Sequence, residues 1–211
     1  LGYATYSGSP GQLISAFEPF IPGEPLAEDQ MRITFMGTSV VPRIAQQCNS
    51  VFVELGNGDS FVFDFGSGVS SNYVAAGIPP SRMDKVFLTH LHGDHVGDLI
   101  TLYCFGPSQD RKTPLYLYGP SGDDPEEGTL AFAENLKKLM KWHVEAFSFL
   151  STGLKDGSDG YDIIAKELPY MTVGGVAYEE NGVRITHFPA VHDRNGSISY
   201  KLEWNGLSMI F

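Results

Sequence analysis

The sequence predicts an α+β fold in which two β-sheets pack face to face with helices on their outer sides, an αββα sandwich. Three observations lead there. Short strand-like runs occupy both ends of the chain, helical spacing is confined to its middle, and Gly 24 with Pro 13 supplies the turns that many short strands need. The length of 211 residues suits one domain with an extension. A hydrophobic share of 42% against 18% charged is enough to fill a core.

In chain order, Pro10, Pro19, Pro22 and Pro25 break any regular element in residues 1–30. That segment is expected to be an N-terminal extension packed on the surface of a domain spanning 31–211. The domain begins with a strand at Met31–Met36 that ends in Gly37-Thr38-Ser39. Ser50–Glu54 and Ser60–Asp64 flank the turn Gly56-Asn57-Gly58-Asp59 and read as a hairpin. Residues 70–77 can form a short helix. Lys85–Thr89 is a compact apolar run, the mark of a strand buried on both faces. A helix starting near His95 is expected to carry Leu99, Ile100, Leu102 and Tyr103 inward, and Pro114–Tyr118 is another strand. From Gly128 to Trp142, Leu130, Phe132, Leu136, Leu139 and Met140 recur at helical spacing. Ser151–Gly160 reads as a loop. Strand-like pieces follow near 161–167, 171–179, 183–188, 197–204 and 207–211, several of them joined by Asn-Gly turns.

Lys+Arg 14 against Asp+Glu 25 gives a net charge of −11. Nucleic-acid binders draw affinity from neutralising phosphates and usually carry a basic face, so this balance argues against a large polyanionic partner. Cys48 and Cys104 are far apart, with no metal-ligand spacing, and read as buried apolar residues. No apolar run reaches the roughly 18 residues that a membrane span needs. The Leu1 start and the Gly/Pro-rich leader fit a processed, periplasmic or secreted protein somewhat better than a cytoplasmic one.

The chemistry is concentrated in Thr89-His90-Leu91-His92-Gly93-Asp94-His95. Three of the 6 histidines of the chain fall in this window. His90 and His92 are two apart on extended backbone just past a buried strand, which sends both imidazoles to one side. Gly93 lets the chain turn, and Asp94 and His95 open the next helix. Imidazole and carboxylate are the usual ligands of zinc and other divalent first-row metals, and burying three imidazoles beside a carboxylate without a metal would be costly.

This His-x-His-x-Asp-His pattern after a hydrophobic strand resembles the signature of the metallo-β-lactamase superfamily. Phe35-Met36-Gly37-Thr38-Ser39, Phe63-Asp64-Phe65-Gly66-Ser67-Gly68 and Leu117-Tyr118-Gly119-Pro120 resemble its branch of tRNase Z, arylsulfatase-like and cyclic-nucleotide phosphodiesterase-like enzymes. The similarity runs from about Arg32 to Phe211. It implies two divalent metal ions, zinc first, with Mn or Fe as substitutes. His90 and His92 would bind the first ion, Asp94 and His95 the second. The third ligand of the first ion would be a histidine between two late strands: His192 in Val191-His192-Asp193, with His187 as the rival inside an alternating strand. His143 beside Trp142 reads as structural. Asp64 is either an acceptor that orients a ligand histidine or a simple turn carboxylate.

The family pattern continues past Phe211 with an aspartate that bridges the metals and a further histidine. The second site is therefore expected to be incomplete in this chain, to be supplied by a C-terminal segment or another polypeptide; a homodimer is the other expected assembly. The resemblance implies a hydrolase whose metals activate a water, with Asp94 orienting that water or moving its proton. A small-molecule phosphodiester or sulfate ester is the expected substrate, and no nucleic-acid partner is expected. Alternatives are tRNA 3′ processing, lactonase or β-lactamase chemistry, and a non-catalytic binding protein on the same fold.

Overall fold

A computed structural model describes residues 24–147, 149 and 159–211. Two sheets organise it. The larger has six strands in the order β1 (Met31–Gly37), β2 (Ser50–Leu55), β3 (Ser60–Phe63), β4 (Lys85–Phe87), β5 (Leu115–Pro120) and β6 (Ile163–Leu168). Its first three strands are antiparallel, and β3 to β6 pair parallel. Helices make the crossovers: α1 (Val69–Ala75), then α2 (Gly93–Val96) and α3 (Leu99–Phe105), then α4 (Thr129–Leu139) and α5 (Lys141–Ala146). The smaller sheet is antiparallel, in the order β10 (Leu207–Ile210), β9 (Ile198–Trp204), β8 (Val183–Pro189) and β7 (Gly175–Glu180).

The period-2 alternation of strands divides the interior into two cores. Phe52, Val62, Val86 and Leu117 face the helices and pack with Tyr73, Leu99, Leu102 and Leu136. Val51, Val53, Phe61, Phe63 and Phe87 face the other sheet and pack with Tyr178, Ile185, Tyr200 and Leu202. Phe87 stacks on Tyr118 at 4.5 Å between ring centroids and meets Tyr200 edge-on at 5.5 Å. The apolar run at 85–88 is therefore buried on both faces, as its composition predicts. Among the described residues no helix lies on the outer side of the smaller sheet, so the layers seen are helix, sheet, sheet.

Asn181-Gly182 and Asn205-Gly206 have φ of 51° and 77°, and 48° and 77°. Both central residues of each turn are left-handed, the requirement of the two-residue turn that matches strand twist. These turns join β7 to β8 and β9 to β10, which places the β8–β9 loop at the opposite end, beside the exit of β4.

Two helical faces differ from the sequence reading. Ile100 is exposed whereas Leu99, Leu102 and Tyr103 are buried, because a rotation of about 100° per residue puts position 100 off the stripe of 99, 102 and 103. In α4 the buried positions are Thr129, Ala133 and Leu136, while Leu130 and Leu139 face outward. The stripe set by i, i+4 and i+7 contains small and polar residues that a count of large apolar ones passes over. Strand β7 also begins at Gly175, later than expected. Residues 1–23 of the expected extension and most of the expected loop at 151–160 lie outside the described residues. Within 24–30, the Gln30 carbonyl accepts from the Gly56 amide at 2.9 Å, holding this piece against the β2–β3 turn.

Candidate metal centre

The site grows from the point where the chain leaves β4. Leu88 is still fully buried, and its amide donates to the Tyr118 carbonyl at 2.7 Å. Thr89 is then captured by Asp64. The Asp64 carboxylate accepts from the Thr89 amide and hydroxyl, both at 2.8 Å, and lies 2.6 Å from His95 Nδ1. Asp64 has φ 58°, a left-handed conformation that aspartate tolerates better than most residues. Burial raises its pKa, opposed by the bonds from His95 and Thr89. The turn carboxylate thus also contacts a candidate ligand histidine.

His90 and His92 follow, His92 on extended backbone, with ring centroids 4.7 Å apart. Gly93 opens α2, and the His95 amide donates to the His92 carbonyl at 2.9 Å, folding Asp94 and His95 back over the pair. Close backbone approach secures the turn. A Cβ on Gly66 would stand 1.9 Å from the Asp94 carbonyl oxygen, so only glycine fits there. From the other sheet, the β8–β9 loop brings in His192, whose Nε2 lies 3.0 Å from His90 Nε2. One nitrogen from each of His90, His92 and His192 falls within 4.8 Å of the other two.

Three observations test whether these residues fit a divalent metal. A tetrahedral ion bound at about 2.0–2.1 Å spaces its nitrogens by roughly 3.3 Å, in keeping with the observed cluster. His90 is pushed down to about 3, first by burial and then by His95, His192 and His92, which keeps it in the neutral, ligating form. The outward nitrogens have partners that aim the others inward. His90 Nδ1 lies 2.9 Å from the Thr89 hydroxyl, which itself donates to Asp64, and His192 Nδ1 lies 3.1 Å from Asp193. The residues fit.

Asp94 and His95 form an adjacent pair, Oδ2 to Nε2 at 3.3 Å. The Asn49 amide donates to Asp94 Oδ2 at 3.0 Å and sits 3.1 Å from His95 Nε2. That contact agrees with His95 carrying its proton on Nδ1, toward Asp64. Burial alone would lower the His95 pKa, but the hydrogen bond to Asp64 and the charges of Asp64 and Asp94 outweigh it and raise it. His187 is buried on β8 outside the cluster, and His143 Nε2 donates to the Cys104 carbonyl at 3.0 Å. Asn49 and the Thr89 side chain were not singled out from the sequence. Asn49 reaches Asp94 from 45 residues away, and no local pattern marks it.

Two cavities meet at the histidines. One of about 580 Å³ contains Asn49, Asp94, His95 and Val191 beside His90, His92 and His192. The other, of about 290 Å³, runs from the same three histidines to Glu127, Arg194 and Asn195.

Residues 43–103, which contain the whole motif, match the family profile described as the metallo-beta-lactamase superfamily. That segment carries the domain signature of the metallo-β-lactamase superfamily. The chain is 31% identical over 163 residues to a protein named ribonuclease Z from Methanothermobacter thermautotrophicus, covering 77% of this chain and 45% of the relative. It is 36% identical over 95 residues to ribonuclease BN of Cronobacter sakazakii, covering 44% of this chain and 31% of the relative. The crystal structure of the short form of human tRNase Z superposes with a TM-score of 0.63 at 18% identity, over 86% of this chain and 68% of that one. That likeness shows the metallo-β-lactamase fold. The chain spans less than half the length of these two curated relatives.

These relatives correct one expectation. A small-molecule ester substrate without a nucleic-acid partner does not agree with relatives that carry the name ribonuclease. The physical reason is that a net charge of −11 sums over the whole chain. Phosphate is met locally, by the few groups lining a cavity. As for membranes, no helix among the described residues is long and apolar enough to cross one.

Proposed function

We propose that this chain is a metal-dependent phosphodiesterase that cleaves RNA, of the kind named in ribonuclease Z relatives. The observation that carries this reading is the convergence of His90, His92 and His192 at the meeting of two open cavities. These three would hold the first ion, Asp94 and His95 would contribute to a second, and zinc suits the imidazole-rich set. A divalent ion there supplies Lewis acidity and a more acidic water.

The chain's own residues do the rest. Asp64 fixes the tautomer of His95 directly and that of His90 through Thr89. Asn49 holds the Asp94 carboxylate in place. Asp94 lines the larger cavity, where it accepts a hydrogen bond from the attacking water and orients it toward phosphorus.

The test combines elemental analysis with cleavage of a precursor tRNA carrying a 3′ trailer. Zinc bound by the wild type and reduced in His92→Ala, with cleavage abolished by a chelator and restored by zinc, supports the proposal. A chain that binds no divalent metal sinks the metal-dependent reading, and zinc binding without RNA cleavage sinks the ribonuclease reading.

A further inference from the structure

The smaller cavity has walls from both sheets. Pro120 ends β5, Gly122 and Glu127 come from the segment after it, and Arg194, Asn195, Gly196 and Ser197 from the β8–β9 loop beyond His192. The two walls are stitched together. Asn195 Nδ2 donates to Asp123 at 3.3 Å, Tyr170 donates its hydroxyl proton to the other oxygen of Asp123 at 2.8 Å, and a Cβ on Gly196 would stand 3.1 Å from Gly122 Cα.

Arg194 is the one lysine or arginine among the residues lining this cavity. Its Nη2 contacts both carboxylate oxygens of Glu127, at 2.5 and 2.6 Å. Nη1 and Nε make no hydrogen bond among the described residues. An arginine two residues beyond a candidate ligand, holding an intramolecular carboxylate through Nη2 alone, keeps Nη1 and Nε for an anion in the cavity. Both side chains are well exposed, 68% and 40%, and exposed ion pairs are weak, so exchange for another anion costs little. A phosphate diester offers two non-bridging oxygens, which a guanidinium can grip with two parallel N–H bonds.

We propose that Arg194 is a substrate-binding residue that releases Glu127 to grip a phosphate of the RNA strand, and that Glu127 is the residue that parks it when the cavity is empty. This rests on the RNA-cleaving reading above. It adds the group that recognises the backbone beside the metal ligands, and a reason why an acidic chain can hold a polyanion.

The test reads binding, not turnover. Zinc-free protein is titrated with a 2′-O-methyl dinucleoside monophosphate and, separately, with inorganic phosphate, following the Arg194 Nε–H resonance at several salt concentrations. Arg194→Ala is expected to weaken dinucleotide binding about 10-fold or more, the loss of a charge-assisted contact. It should also make the salt dependence shallower by roughly 0.7 in log–log slope, one phosphate contact on a single strand. Glu127→Gln is expected to tighten binding severalfold. Zinc stoichiometry of both variants should equal that of the wild type, which separates this outcome from collapse of the site. Equal affinity and slope in wild type and Arg194→Ala overturn the role of Arg194, even if zinc binding and RNA cleavage stand. Weaker binding in Glu127→Gln overturns the parking role. Phosphate that binds at Arg194 without being displaced by the dinucleotide overturns the RNA assignment.

Discussion

Asp64 and His95, 31 residues apart in sequence, are joined by a 2.6 Å contact between a fully buried carboxylate oxygen and a ring nitrogen. The same carboxylate holds the amide and hydroxyl of Thr89, and Thr89 in turn meets His90 Nδ1. One side chain behind the site therefore sets the orientation of two candidate ligands. In Asp64→Asn the new amide nitrogen cannot accept a proton from His95 or from Thr89. Zinc affinity, measured by competition with a chromophoric chelator, should fall about 10–100-fold with the fold retained. Unchanged affinity would show that the carboxylate is a turn residue only.

His192 and His187 provide a paired test of the third ligand. His192 meets His90 at 3.0 Å, whereas His187 is buried on β8 with Nδ1 unpartnered among the described residues. His192→Ala should reduce zinc bound per chain and leave the unfolding midpoint of the zinc-free protein nearly unchanged. His187→Ala should bind zinc normally and lose on the order of 2 kcal/mol of stability, through the cavity it leaves. The reverse pattern would reassign the ligand.

His187 also gives a pH dependence of defined sign. Burial, with the nearby charge of Lys166, holds its pKa below the ordinary value. The unfolded chain takes up this proton near pH 6.5, and the folded chain does so only at lower pH. The contribution of neutral His187 is present above about pH 6.5 and is lost as pH falls below it toward the folded value. Urea midpoints of zinc-free wild type should drop more steeply between pH 7 and 5 than those of His187→Phe. Parallel curves would show that the ring is not held neutral.

Gly66→Ala places a methyl group against the Asp94 carbonyl. The backbone bonds from Phe65 to the His95 carbonyl and from Asn49 to that of Asp94 would both have to shift. The expected result is a loss of about 3 kcal/mol or more in denaturant unfolding, together with weaker zinc binding. A variant that keeps wild-type stability would show that the motif turn has room to move.

The fold and the histidine motif were legible because both rest on local regularities. Alternation in β8 and β9, the Asn-Gly turns, and the spacing of His90, His92 and His95 need nothing beyond a few neighbouring residues. His192 followed from resemblance, and the structure brings its ring to His90. Asn49, Thr89 and the Glu127–Arg194 pair were not legible, because each acquires its role from a partner that folding delivers. Substrate class was misread for a related reason. Charge was summed along the chain, while recognition depends on which charges share a cavity.

The three clustered histidines do not come from one layer. His90 and His92 follow β4 in the larger sheet, and His192 lies between β8 and β9 in the smaller one. The layers also meet nearby, where the Ile198 amide donates to the Thr89 carbonyl at 3.0 Å and the Tyr200 hydroxyl to the Leu88 carbonyl at 2.7 Å. An ion seated there acts as a rivet through the sandwich, so that loading and cohesion become a single equilibrium. Removing such an ion would then do more than idle the site: it would also take away one tie between the sheets.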